Sequence, residues 1–119
     1  MQLLKIYYAY FSPGNTTEKV VSHIASSFQN YPVESINLTD YATRQEDYYF
    51  KENELLIIGV PAYGGRVPAP VVDALRHFTG SNTPVVLVAT YGNRDIDDTL
   101  IELKKNVIDK GFIPVGAAS

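Results

Sequence analysis

Two short stretches of this chain, Glu54–Val60 (ELLIIGV) and Pro84–Thr90 (PVVLVAT), are apolar at nearly every position. Successive side chains of a strand point to opposite faces of its sheet, so a run without alternation must be buried on both. An antiparallel sheet with one wet face would alternate instead. The two runs therefore predict central strands of a parallel sheet covered by helices on both sides.

The segments around them fit that scheme. Leu3 to Tyr10 is a β-branched and aromatic run that predicts a strand. From Thr16 to Gln29 the apolar residues Val20, Val21, Ile24, Ala25 and Phe28 recur at helical spacing. Val33 to Leu38 alternates, as an outer strand does. Thr39 to Asn53 is polar and tyrosine-rich, with room for a short helix. Pro68 to Phe78 predicts a helix with Val71, Val72, Leu75 and Phe78 on one face. Ile96 to Lys110 predicts another, with the stripe Ile96, Leu100, Leu103 and Val107 and a stop at Gly111. Phe112 to Val115 is a fifth strand. Strand–helix alternation implies an α/β fold: a five-stranded parallel sheet with right-handed crossovers and helices on both faces.

At 119 residues the chain is long enough for one domain with a core of its own. No repeat or low-complexity tract divides it. It has no cysteine, which removes disulfides, zinc–thiolate sites and protein-ligated iron–sulfur clusters. That fits a reducing compartment, and a cytoplasmic location is expected. Thirteen acidic residues against 10 basic ones give −3, without the basic excess that a nucleic-acid surface wants. Its longest apolar run is broken by Gly59 and Pro61, well short of the roughly 18 residues of a membrane helix. Met1 to Phe11 carries one lysine and no small-residue cleavage pattern, so no signal peptide is expected. His23 and His77 lie off the apolar stripes and far apart in sequence, which argues against a metal site.

In an open parallel sheet, ligands bind beyond the carboxyl ends of the strands. Three loops lie there. Ser12-Pro13-Gly14-Asn15-Thr16-Thr17-Glu18 leads from a strand into a helix start, where unpaired N–H groups attract phosphate. Gly14 and Asn15 tolerate positive φ, and Ser12, Thr16 and Thr17 add hydroxyls. The same residues also suit plain helix capping. Pro61-Ala62-Tyr63-Gly64-Gly65-Arg66-Val67-Pro68 has two glycines that let backbone approach a flat ligand and a tyrosine that can stack on it. The alternative is a simple turn with a surface tyrosine. Thr90-Tyr91-Gly92-Asn93-Arg94-Asp95 again places an aromatic before a glycine, the alternative being a polar loop with Asp95 as a cap. Together the loops offer one phosphate cradle and two aromatic–glycine clamps, which suits a phosphorylated planar heterocycle.

The phrases FSPGNTTEKV, PAYGGRVPAPVVDAL and TYGNRDIDDTLIELK resemble the flavodoxin-like family. They are most similar to the flavodoxin half of bacterial proteins that join a flavodoxin-like domain to a ferredoxin-like one. The resemblance spans Leu3 to about Val115. It implies strand order 2-1-3-4-5, non-covalently bound flavin mononucleotide (FMN) and one-electron transfer. It assigns the phosphate to Ser12, Gly14, Asn15, Thr16 and Thr17. One side of the isoalloxazine falls to Tyr63, Gly64 and Gly65, and the other side or the pyrimidine edge to Tyr91, Gly92 and Asn93. Pro61, Ala62 and Thr90, at the ends of the two buried strands, complete the expected cofactor-contacting set.

The sequence departs from the family in two ways. In the phosphate loop, Ser/Thr-x-Thr-Gly-x-Thr, Ser12 and Thr17 match, but Gly14 takes the inner threonine position and Asn15 the glycine position. Asn15 must then be left-handed. The family's closing helix after the fifth strand is expected to be missing from a chain that runs out at Gly116-Ala117-Ala118-Ser119. Half of one face of ELLIIGV and PVVLVAT would then lie uncovered, to be met by further protein or by a second copy of the chain.

The resemblance favours an electron carrier serving redox partner proteins, a ferredoxin-like domain among them. An FMN-dependent NAD(P)H or quinone reductase is the alternative, with Gly64, Gly65 and Arg66 opening room over the ring. A third option is an interaction module that no longer binds flavin. No catalytic acid–base set stands out. Arg66 and Arg94 fall within the flavin loops and are expected to tune the flavin potential.

Overall fold

The computed structural model describes residues 2–90 and 95–118. In chain order the elements are β1 (Lys5–Tyr10), α1 (Thr16–Ser26), β2 (Val33–Asn37), α2 (Tyr41–Arg44) and β3 (Tyr48–Tyr49). They continue with β4 (Glu54–Pro61), α3 (Ala69–Leu75), β5 (Phe78–Thr79), β6 (Thr83–Thr90), α4 (Asp95–Asp109) and β7 (Phe112–Ala118). Five strands form one sheet in the order β2-β1-β4-β6-β7. All its neighbours are parallel, with Ile6 opposite Leu55, Leu56 opposite Val85 and Thr83 opposite Phe112. Numbered within this sheet alone, the order is 2-1-3-4-5, as expected.

The two apolar runs occupy the centre for the reason their composition gives. On the face beneath α1, Leu55 and Ile57 of β4 pack with Ile6, Tyr10, Val21, Ala25 and Val88. On the opposite face, Leu56, Ile58 and Val60 join Val71, Leu75, Leu87, Leu103 and Val107 beneath α3 and α4.

The expected gap over ELLIIGV is not there. Every residue of β4 is buried. Gly59 lets α1 settle directly onto this strand, since a Cβ there would run into Val21 and Thr17. Exposure on the α1 face falls instead on the far strands: Pro84 and Val86 are half-buried, and Ile113 and Val115 are exposed. Among the described residues no helix follows β7.

The polar, tyrosine-rich segment holds the short helix α2, whose first turn is capped by Asp40 accepting from the Thr43 N–H at 3.0 Å. Helix α3 ends at Leu75, three residues before the expected Phe78. Phe78–Thr79 pairs in parallel with Tyr48–Tyr49 instead. The pull is aromatic. Phe78 is fully buried and packs on Tyr48 and Phe50 with ring centroids 5.1 and 5.4 Å apart.

Candidate functional site

At the carboxyl edge of the sheet, the loop after β1 is wound tightly around the start of α1. Asn15 is the helix N-cap and adopts the left-handed conformation, φ 69° and ψ −6°, as the sequence required. Its side chain makes no capping bond. Ser12 takes that role from three residues earlier: its hydroxyl oxygen accepts the Glu18 N–H at 2.9 Å. Ser12 is itself held by its own N–H, which donates to the Thr39 hydroxyl at 2.8 Å. The Asn15 N–H turns back to the Ser12 carbonyl. Among the described residues, the N–H groups of Gly14, Thr16 and Thr17 find no protein acceptor. Gly14, Asn15 and Thr16 lie exposed around them. The loop thus gathers free donors at the positive end of α1, a suitable seat for an anion.

Thr17 is turned inward. It is buried, and its hydroxyl lies 2.7 Å from that of Thr90 at the end of β6. The Thr90 carbonyl in turn accepts the Ala62 N–H at 2.8 Å. Thr90 therefore joins the first loop to the second, a link that neither loop's sequence announces.

The second loop leaves β4 through Pro61 and Ala62, both buried, and folds into a turn from Tyr63 to Arg66. The Arg66 N–H closes it on the Tyr63 carbonyl at 3.0 Å. Gly64 and Gly65 have φ of 58° and 76°, and positive φ at both central positions is the pattern of a type I′ turn. The Tyr63 side of the turn is open, with Tyr63 51% exposed. A largely apolar cleft of about 530 Å³ lies beside it, lined by Phe11, Tyr63, Val67, Pro68 and Pro70 among others.

Arg66, expected within the flavin loop, lines the same cleft and also reaches α4, where its Nε donates to Glu102 Oε1 at 3.0 Å. The same oxygen accepts the Val67 N–H at 3.0 Å. The hydrogen bond from Arg66 holds the Glu102 carboxyl below its ordinary value. Glu102 has no motif signal, because it sits beside the apolar stripe of its helix and 36 residues from Arg66. Tyr10, the last residue of β1, is buried beside Glu18, and burial pushes its hydroxyl up to about 12. Tyr91, Gly92, Asn93 and Arg94 of the third loop lie outside the described residues. Among the described residues no cluster of His, Cys, Asp and Glu could hold a metal ion, and no helix is long and apolar enough to cross a membrane.

No protein-family model matches this chain, and no curated protein does. Solved structures do. A candidate flavoprotein from Bacteroides uniformis superposes with a TM-score of 0.68 at 17% identity, over 98% of this chain and 90% of that one. Another from Bacteroides eggerthii gives 0.67 at 20% identity, over 96% and 87%. A flavoprotein from Lactobacillus acidophilus in complex with FMN gives 0.64 at 15% identity, over 97% and 92%. The fold is flavodoxin-like. The sheet order is the flavodoxin-like one, with the Ser12–Thr17 loop after the first strand of the sheet and the Tyr63 turn after its third.

Proposed function

We propose that this chain is an electron-transfer protein that carries electrons on non-covalently bound FMN. The observation that carries the reading is the loop before α1: a left-handed Asn15, a buried Ser12 that caps Glu18, and the N–H groups of Gly14, Thr16 and Thr17 without an acceptor among the described residues. Such a loop suits a phosphate. The double-glycine turn on the neighbouring strand presents an exposed tyrosine suited to a flat ring. One of the similar structures contains FMN.

Ser12, Gly14, Asn15, Thr16 and Thr17 would hold the phosphate. Tyr63, Gly64 and Gly65 would flank the ring, with Pro61, Ala62 and Thr90 shaping the floor. Bound FMN would supply the electron chemistry; the chain's part is to bind it, orient it and set its potential. The partners are redox proteins, a ferredoxin-like domain among them. The chain acts in the cytoplasm.

The reading is tested by adding FMN and riboflavin to the purified protein and following the flavin absorbance. FMN is expected to bind at least tenfold more tightly, because only it offers a charged group to the Ser12–Thr17 loop. Equal affinities would remove the phosphate role, and binding of neither would remove the reading.

The cleft beside Tyr63 gives the reductase alternative a specific footing, since a second substrate could enter there. Steady oxidation of NAD(P)H by the FMN-loaded protein, with a quinone as acceptor, would favour that alternative over a carrier.

A further inference from the structure

The Tyr63–Arg66 turn is soft by composition. Two successive glycines lose more conformational freedom on ordering than any other pair of residues. Its entrance is held by the Ala62 N–H on the Thr90 carbonyl and its interior by the Arg66 N–H on the Tyr63 carbonyl. Among the described residues its exit finds no backbone partner. Val67 is 4% exposed and precedes Pro68, which has no N–H and biases Val67 toward extended backbone. The N–H of this buried residue donates instead to a side chain, Glu102 Oε1, at 3.0 Å. The same carboxylate takes Arg66 Nε at 3.0 Å on Oε1 and Arg66 Nη2 at 3.5 Å on Oε2.

We infer that Glu102 is a positioning residue for the ligand-facing turn: reaching from α4, its carboxylate fixes the end of the turn that opens with Tyr63. The inference rests on the FMN reading above, and Glu102 itself touches no ligand in it. The ion pair with Arg66 is the lesser part, because the Arg66 side chain is 76% exposed and such pairs contribute little. The bond to Val67 is the greater part. Removing the carboxylate strands a buried N–H with no acceptor at the point where a two-glycine turn must be held. The contact also ties the second loop to α4, the helix that the third loop enters.

The test uses hydrogen exchange in the flavin-free protein and flavin titration of the loaded one. Glu102→Ala is expected to speed exchange of the Val67 amide at least tenfold. Glu102→Gln keeps a carbonyl oxygen for that N–H and should stay within about threefold of the parent. Arg66→Gln leaves the Glu102–Val67 bond in place and should not change Val67 exchange. With flavin, Glu102→Ala should weaken FMN and riboflavin by the same factor, about five- to tenfold, because the defect lies on the ring side and not at the phosphate. Unchanged Val67 exchange in Glu102→Ala would overturn the inference. So would faster exchange with both flavin affinities unchanged. The parent supplies a measurement that needs no variant: a scalar coupling from the Val67 N–H to the Glu102 carboxylate carbon, whose absence would also overturn it. Failure of the parent to bind either flavin would overturn the FMN reading alone, and Val67 exchange would still decide whether Glu102 fixes the turn.

Discussion

Thr17 and Asn15 sit two positions apart and do opposite things. Asn15 spends backbone strain at the surface, since a left-handed residue other than glycine costs about 1 kcal/mol or more. Around it the N–H groups of Gly14, Thr16 and Thr17 are left without an acceptor among the described residues. Thr17 spends a hydroxyl in the interior, on Thr90 at 2.7 Å. Thr17→Val keeps the shape and strands the Thr90 hydroxyl. It should lower unfolding free energy by about 1–2 kcal/mol, read from urea denaturation of the flavin-free protein. A loss below about 0.3 kcal/mol would mean that the pair contributes little. The sequence made the left-handed Asn15 legible, because the residue takes a glycine's place in a recognisable loop. The partner of Thr17 was not legible. Its hydroxyl could equally have faced outward, and the choice is made by Thr90, 73 residues away. Glu102 was hidden for the same reason: its partners are brought to it by the fold, and nothing local marks it.

At the scale of elements, the placement of α1 is set by a single missing side chain. Gly59 is the only residue of β4 without a Cβ, and Val21 fills the space above it. The start of α1, which carries the anion-type loop, is therefore registered against the strand that carries the Tyr63 turn. Gly59→Ala should cost about 1–3 kcal/mol through overpacking. Pairing it with Val21→Ala should recover part of that loss, which a double-mutant cycle in thermal or urea unfolding would measure. Additive effects would show that the two residues do not meet. The sheet was readable because continuous apolar runs leave no other arrangement for β4 and β6. The lateral position of α1 was not: a helical stripe says which face is buried, not which strand it lies on. That is why the exposed apolar surface sits on Ile113 and Val115 rather than over β4. The early end of α3 was hidden too. Phe78 fits the helical stripe by spacing, yet the aromatic cluster with Tyr48 and Phe50 draws it into a two-residue strand.

For the whole molecule, charge is the property that reaches a bound redox group from a distance. The chain carries −3 at pH 7. Fully reduced flavin is anionic near neutral pH, so a negative protein disfavours the last electron and lowers its potential. Arg66 taken alone would oppose this. Paired with Glu102, it nearly cancels. Substituting one partner uncovers the other. Arg66→Gln should lower the potential of FMN-loaded protein and Glu102→Gln should raise it, each by roughly 10–30 mV at low salt. Arg66 is exposed, so both shifts should shrink as ionic strength rises. The carboxyl of Glu102 is held below its ordinary value of 4.5, so it stays charged above that pH and is neutralised only as pH falls through its lower folded value. The opposed shifts should therefore keep their sign and size from roughly pH 7 to 8, where the carboxylate and the reduced flavin both stay charged. Potentiometric titration of both variants at two salt concentrations checks this. Shifts in the same direction, or shifts that persist undiminished at high salt, would mean that the turn's shape and not its charge moves the potential.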